Sequence, residues 1–243
     1  MTVTWEEFGW ERVASGVGRC RLPGWDCTAG LVVGDGTALV VDAGSSLVEG
    51  ARLRTAAEEL AGGRVTHLAL THPHFDHVFG AAAFTGAEVY GPVGMDALFD
   101  ARHAREELRE DAVREGLDAR LAEEAVASLL PPRHHVSGEW TLDLGGGRQV
   151  LLANVGPGHT AHDLAVLVPG SPEVVFCGDL VEESGEPQAG PDAVPSHWPA
   201  ALDRLLDLGG EDALYVPGHG AVVDAGFVRA QRDALAARFG VSR

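Results

Sequence analysis

Residues 71–80 read THPHFDHVFG: three histidines and an aspartate fall within six positions, directly behind the apolar run at 68–70. A chain cannot hide four such groups side by side unless something takes up their lone pairs and charge. The run before them reads as an interior strand, so the fold has to bring a strand end to a rim where the cluster can meet a ligand. His72 and His74 stand two apart and share one side of extended chain. The turn that follows swings Asp76 and His77 toward a neighbouring point. Two alternating pairs suit two adjacent metal ions better than one. Imidazole and carboxylate are donors suited to zinc and other first-row divalent ions.

The rest of the chain supplies a scaffold of mixed α/β type. LVVGDGTALVVDAG places two β-branched runs around a Gly-Asp-Gly turn, as a hairpin requires. Residues 47–61 read as a helix and RVTHLALTH as the strand leading to the histidines. Between about 95 and 130 apolar residues recur at spacings of three and four among many charges. That pattern predicts a helical insert of two amphipathic helices broken near Gly116 and ended by Pro131 and Pro132. Its place in the chain makes it a candidate cap over the site. WTLDLGGGRQVLLANV and DLAVLVPGSPEVVFCGD read as further hairpins. Helices around 199–208 and 225–239 flank the strand ALYVPGHG. Hairpin-connected sheets are therefore expected, with no sustained βαβ rhythm. No internal repeat or low-complexity linker divides residues 1–243, so one domain is expected.

Composition excludes several classes of partner. The 18 basic residues, all arginine, stand against 36 acidic ones, for a net charge of −18. That is the wrong sign for a phosphate backbone or an anionic membrane surface. A small-molecule substrate is expected, with the oligomeric state open. The acidic N-terminus lacks a secretory profile and no apolar stretch is long enough to span a bilayer, so a cytoplasmic location is expected. Cys20, Cys27 and Cys177 show no C-x-x-C spacing and read as reduced, buried thiols.

Three later segments complete the donor set. GPGHTAHD carries His159, FCGDL carries Asp179 and VPGHG carries His219, each at a strand end where a loop can reach the same rim. Loop-borne ligands leave coordination positions open, which is the catalytic arrangement. Asp163 is a candidate to hydrogen-bond a ligand imidazole, and His162 to touch substrate. His134 and His135 are weaker pocket candidates; His67 reads as packed or surface and His103 as solvated. The Pro- and Gly-rich stretch GEPQAGPDAVPSHW is a candidate entrance loop.

HPHFDH, GHT, GD and PGHG in this order, preceded by VDAG with Asp42, resemble the metallo-β-lactamase superfamily. The motifs run from 42 to 220. The resemblance implies a four-layer αββα sandwich with metals at one edge. It implies one ion held by His72, His74 and His159, a second by Asp76, His77 and His219, and Asp179 bridging both. Asp42 would support the histidine loop through hydrogen bonds. The cofactors expected are two divalent ions, zinc first, with manganese or iron as alternatives.

Two ions held close together lower the pKa of a shared water, and the bridging hydroxide attacks a substrate carbonyl. Asp76 is the candidate to pass a proton to the leaving group. No protein nucleophile is needed, in keeping with the lack of a G-x-S-x-G elbow or a Walker loop. Asp at the bridging position resembles thioesterase-like members, where zinc lactamases carry Cys. Cys177, two residues earlier, is a minor candidate ligand. The metal site is similar to that of glyoxalase II, but only 24 residues follow His219 (243 minus 219), too few for that enzyme's recognition domain. The expected activity is hydrolysis of a thioester, ester or lactone. The alternatives are a β-lactamase-type amide hydrolase and a non-haem iron oxidoreductase similar to persulfide dioxygenases.

Overall fold

The computed structural model describes residues 4–241. Its first sheet holds seven strands in sequence order: β1 (Glu11–Ala14), β2 (Val17–Arg21), β3 (Thr28–Val33), β4 (Thr37–Val41), β5 (Arg64–Ala69), β6 (Glu88–Pro92) and β7 (His134–Val136). The second holds β8 (Glu139–Asp143), β9 (Gln149–Asn154), β10 (Leu164–Val168), β11 (Val174–Phe176) and β12 (Leu214–Val216), in the order β12-β11-β10-β9-β8. The helices are α1 (Leu47–Ala61), α2 (Phe75–Val78), α3 (Met95–Asp100), α4 (Arg102–Arg114), α5 (Ala119–Ala127), α6 (Trp198–Gly209) and α7 (Ala225–Phe239).

Side-chain alternation turns these elements into four layers. Along β4, Ala38 and Val40 face a core shared with α1 and the insert, while Leu39 and Val41 face the other sheet. Along β10, Leu164, Val166 and Val168 face the first sheet, while Ala165 and Leu167 face α6 and α7. Both faces of each strand are covered, which is why these strands read as unbroken apolar runs. The result is helix, sheet, sheet, helix, as expected. Among the described residues, no helix is long and apolar enough to cross a membrane.

Two expectations need correction. β4, β5, β6 and β7 are all parallel neighbours, with helical crossovers between them, so half of the first sheet does have a βαβ rhythm. β12 likewise joins β11 in parallel. The insert also forms three helices rather than two. The chain is extended at Ala101, and Gly116, at φ +102°, makes the second break.

This topology decides where the donors go. β9 and β11 both run antiparallel to β10, so β9, β11 and β12 point the same way. The loops carrying His159, Asp179 and His219 therefore leave one edge of the second sheet. Asp42 and the histidine loop leave the matching edge of the first, after the parallel strands β4 and β5. Backbone bonds stitch the two edges: Leu164 N–H donates to the Thr71 carbonyl (2.8 Å), and Thr28 N–H to that of Gly218 (2.7 Å).

Candidate metal centre

His74 caps the single turn of α2, which carries Asp76 and His77 into the rim. Asp179 lies in a one-turn helix after β11 and stands directly over Gly218, where a Cβ would come within 1.8 Å of its Oδ1. Only glycine fits there, which accounts for the glycine before His219.

Each of the five histidines has one ring nitrogen pinned from outside. His72 Nδ1 meets Thr71 Oγ1 at 2.9 Å, His74 Nε2 meets Asp192 Oδ2 at 3.0 Å, and His77 Nδ1 meets Asp42 Oδ2 at 2.9 Å. His159 Nδ1 faces the Gln188 carbonyl at 3.1 Å and His219 Nδ1 that of Trp25 at 2.7 Å. Each acceptor fixes the N–H outward, so the other nitrogen turns its lone pair into the centre. His74 thus presents Nδ1, and the other four present Nε2.

The inward atoms converge around Asp179. Its Oδ2 is 3.6 Å from both His72 Nε2 and His159 Nε2, and 3.2 Å from His219 Nε2. Its Oδ1 is 3.1 Å from His77 Nε2. Asp76 Oδ2 lies 3.5 Å from His77 Nε2 and 3.4 Å from His219 Nε2. Donors on one tetrahedral ion, with bonds of about 2.0–2.1 Å, stand about 3.3 Å apart. His72, His74, His159 and Asp179 fit one such polyhedron, and His77, Asp179 and His219 a second.

Electrostatics ask for a cation. His72 Nε2 and Asp179 Oδ1 are buried with no hydrogen-bond partner, a costly arrangement unless both serve as ligands. His159 Nε2 and His74 Nδ1 face each other at 3.0 Å, so their lone pairs require a proton or a metal between them. Burial, with His77 beside it, holds His72 well below the usual imidazole pKa, and burial lowers His159 to about 4. Burial also opposes charge on His219, but the carboxylate of Asp179 outweighs it and lifts the pKa to about 12. At His77 burial is likewise overcome, by Cys27, Asp179, Asp76 and Asp42, and the pKa stands well above normal. The acids of the cage therefore draw positive charge inward, a demand that divalent ions meet directly.

The match to a known family agrees with this geometry. The model of the metallo-beta-lactamase superfamily matches residues 22–219. The chain belongs to the metallo-β-lactamase superfamily. It is a metallo-hydrolase with a buried His/Asp centre. Among solved structures, a metallo-beta-lactamase from Pontibacter korlensis is 22% identical, with a TM-score of 0.71 over 93% of this chain and 97% of its own. The DIM-1 metallo-beta-lactamase is 19% identical, with a TM-score of 0.68 over 94% and 96%. FIM-1 from Pseudomonas aeruginosa, solved in a mono-zinc form, is also 19% identical, with a TM-score of 0.68 over 96% of each chain. At such identities the likeness is one of fold. No curated protein matches the chain.

The other candidate side chains have partners of their own. Asp163 reaches no imidazole; it accepts from the Thr160 N–H at 3.0 Å and hydroxyl at 2.8 Å, and so shapes the loop that carries His159. His162 is tied to the Val93 carbonyl at 2.9 Å. His134 stacks on Tyr90 and meets Glu88, and His135 meets the Pro132 carbonyl, both within or beside β7. Cys177 packs in the core under α6 and α7. The thiol beside the centre is Cys27, 3.6 Å from His77 Nε2 and grouped with Asp76 and His77 as candidate ligands. Burial pushes its pKa up to about 12.

Asp192 and the carbonyls of Gln188 and Trp25 belong to no motif of the sequence. Asp192 and Gln188 lie in the stretch singled out as a candidate entrance loop. A cavity of about 640 Å³ opens beside His74 and Asp192, walled by α3 and α4, so the insert does stand over this side of the centre.

Proposed function

We propose that this chain hydrolyses a small carbonyl compound (a thioester, ester or lactone) with two divalent ions, zinc by preference. The observation that carries the reading is the set of five imidazoles, each pinned outward on one nitrogen and turned inward on the other. Six donors from both sheets meet around the carboxylate of Asp179, and the seven together are more than one four-coordinate ion can use. Bound there, two ions would polarise a carbonyl and lower the pKa of a water.

The chain's own part is placement. His72, His74 and His159 with Asp179 would hold one ion; Asp76, His77 and His219 with Asp179 the other. Asp42 and Asp192 keep His77 and His74 in the required tautomers. Asp76 is buried between His77 and His219, and those two outweigh its burial and hold its carboxyl below the usual range. It is ionised when substrate arrives and stands within reach to accept a proton and return it to the leaving atom. Free thiols and the charge of −18 support a cytoplasmic enzyme with a small-molecule substrate and no nucleic-acid partner.

The test is a substrate panel on metal-loaded protein, paired with elemental analysis. We expect close to two zinc or manganese ions per chain, and turnover of thioesters or lactones. Asp179→Ala should lose at least 10³-fold in kcat/KM, roughly the loss on removing a group that acts only in the transition state, and should retain one ion or none. One iron per chain, with oxygen consumed on adding a persulfide, would make the protein an oxidoreductase instead. Exclusive turnover of a chromogenic lactam would make it an amide hydrolase.

A further inference from the structure

The cavity beside His74 belongs to the same rim as the metal centre. His74 gives Nδ1 to the cage while its ring lines the cavity, and Asp192 and Pro73 extend the wall. At about 640 Å³ it falls within the roughly 300–1,000 Å³ of small-molecule sites. Its floor is apolar: Leu98, Phe99, Ala104, Leu108 and Leu129.

Its rim is acidic. Glu107, Glu110 and Asp111 of α4 line it, and Asp192 adds a fourth carboxylate. Two cations share the rim, and both are engaged. Arg105 donates to the Phe99 carbonyl and Arg114 pairs with Asp111. Four carboxylates against two guanidinium groups leave two negative charges in excess at the mouth, even with Asp111 paired to Arg114, Asp192 bonded to His74 and Glu107 to His103, inside a chain that carries −18 overall. Such a field repels anions and draws in neutral or cationic molecules.

We infer that this cavity receives the acyl arm of the substrate, that the arm is apolar and uncharged, and that the acidic rim of α4 rejects acyl arms ending in a carboxylate. The inference rests on the hydrolase reading for the word substrate, but the arm's recognition can be measured without turnover. It names a specificity device: Leu108 and Phe99 select for apolar length, and Glu107 and Glu110 select against negative charge.

Hydroxamates chelate zinc through two oxygens and carry a chosen tail, so they probe cage and cavity together. Three are titrated calorimetrically into the zinc-loaded protein: acetohydroxamate, hexanohydroxamate and adipic acid monohydroxamate. Burying a methylene strengthens binding about threefold to fourfold. The four extra methylenes of the hexanoyl tail should therefore tighten binding roughly 80- to 250-fold over acetyl. The adipoyl ligand, of equal length but ending in a carboxylate, should bind no more tightly than acetyl. Leu108→Glu should erase most of the hexanoyl gain. The double variant Glu107→Arg/Glu110→Arg, at exposed positions of α4, should strengthen adipoyl binding about tenfold relative to hexanoyl.

Equal affinity for acetyl and hexanoyl ligands, or an adipoyl ligand as tight as hexanoyl, overturns the inference. So does binding of none of the three, which would also refute the metal centre. Tail-dependent binding in a protein that turns over no acyl ester or thioester would sink the hydrolase reading and still uphold the cavity's selectivity.

Discussion

Asp42 shows how much one carboxylate can organise. It ends β4 at φ +61°, a backbone region that Asp tolerates better than most residues. Its two oxygens accept from Thr71 N–H and Thr71 Oγ1, both at 2.8 Å, and from His77 Nδ1 at 2.9 Å. It therefore sets the tautomer of His77 and, through Thr71, that of His72. Asp42→Asn keeps the shape but puts an amide N–H against a donor. We expect zinc affinity to fall about 10- to 100-fold with the fold retained, read by competition with a chromogenic chelator. Asp163 offers a pH test. Burial raises its pKa from 3.8 to about 7, against the pull of its Thr160 bonds. The folded state therefore holds the proton more tightly than the unfolded chain. The stability it contributes is complete below about pH 4 and is lost as pH rises through about 7. Asp163→Asn, which can still accept from Thr160, should be close to wild type at pH 4, just where the loss begins. It should gain on wild type by a few kcal/mol, at most ~4, at pH 8. Urea unfolding of both proteins at the two pH values checks the sign.

At the scale of elements, α1 and the histidine loop are fitted to each other through glycine. A Cβ on Gly50 would stand 2.3 Å from the Gly80 carbonyl oxygen and 2.7 Å from its Cα, with no flexible side chain to give way. Gly50→Ala gains up to ~1 kcal/mol in helix propensity but forces α1 off the segment after α2. A net loss of about 1–3 kcal/mol is expected, as for overpacking elsewhere. Zinc affinity should weaken alongside Tm, because Gly80 directly follows the loop that holds His77. A Tm loss with unchanged zinc affinity would show that α1 supports the sheet without registering the site. α1 itself was legible down to its ends, since Ser46 accepts the Glu49 N–H and Gly62 closes the helix at φ +61°. The β3–β4 hairpin and the histidine cluster were equally legible, because their causes are local. β6 and β7 were not. β7 has three residues, two of them histidine, and is a strand only because β6, more than forty residues away, lies beside it. The acceptors at Gln188 and Trp25 are carbonyls, which any residue type supplies, so sequence carries no trace of them. Asp192 has a readable side chain, but only the folded loop between the one-turn helix of Asp179 and α6 brings it to His74.

The whole molecule joins these scales. His72, His74, Asp76 and His77 come from the first sheet's edge, and His159, Asp179 and His219 from the second's. Ions bound between them would cross-link the two halves of the sandwich. The same rim buries Asp42, Asp76, Asp179 and Glu182 in a chain of net charge −18, so removing the cations leaves these acids to be balanced by protons on His77 and His219 alone. Ion binding to the folded state alone is worth ~4 kcal/mol per site when free metal is ~1,000 times its Kd. For a chain of this size each kcal/mol moves Tm by roughly 2–4 °C. Chelation should therefore lower Tm by about 10 °C or more in calorimetry. Moderate NaCl should recover part of that loss by screening surface repulsion, but not all of it, because the buried carboxylates are out of its reach. Zinc should restore the rest. A Tm indifferent to chelator would mean that the apolar contact between the sheets holds the fold unaided, and that the converging donors add nothing to it. The cost of two buried orphan atoms, His72 Nε2 and Asp179 Oδ1, argues that the chain does not fold so in the absence of something positive to share.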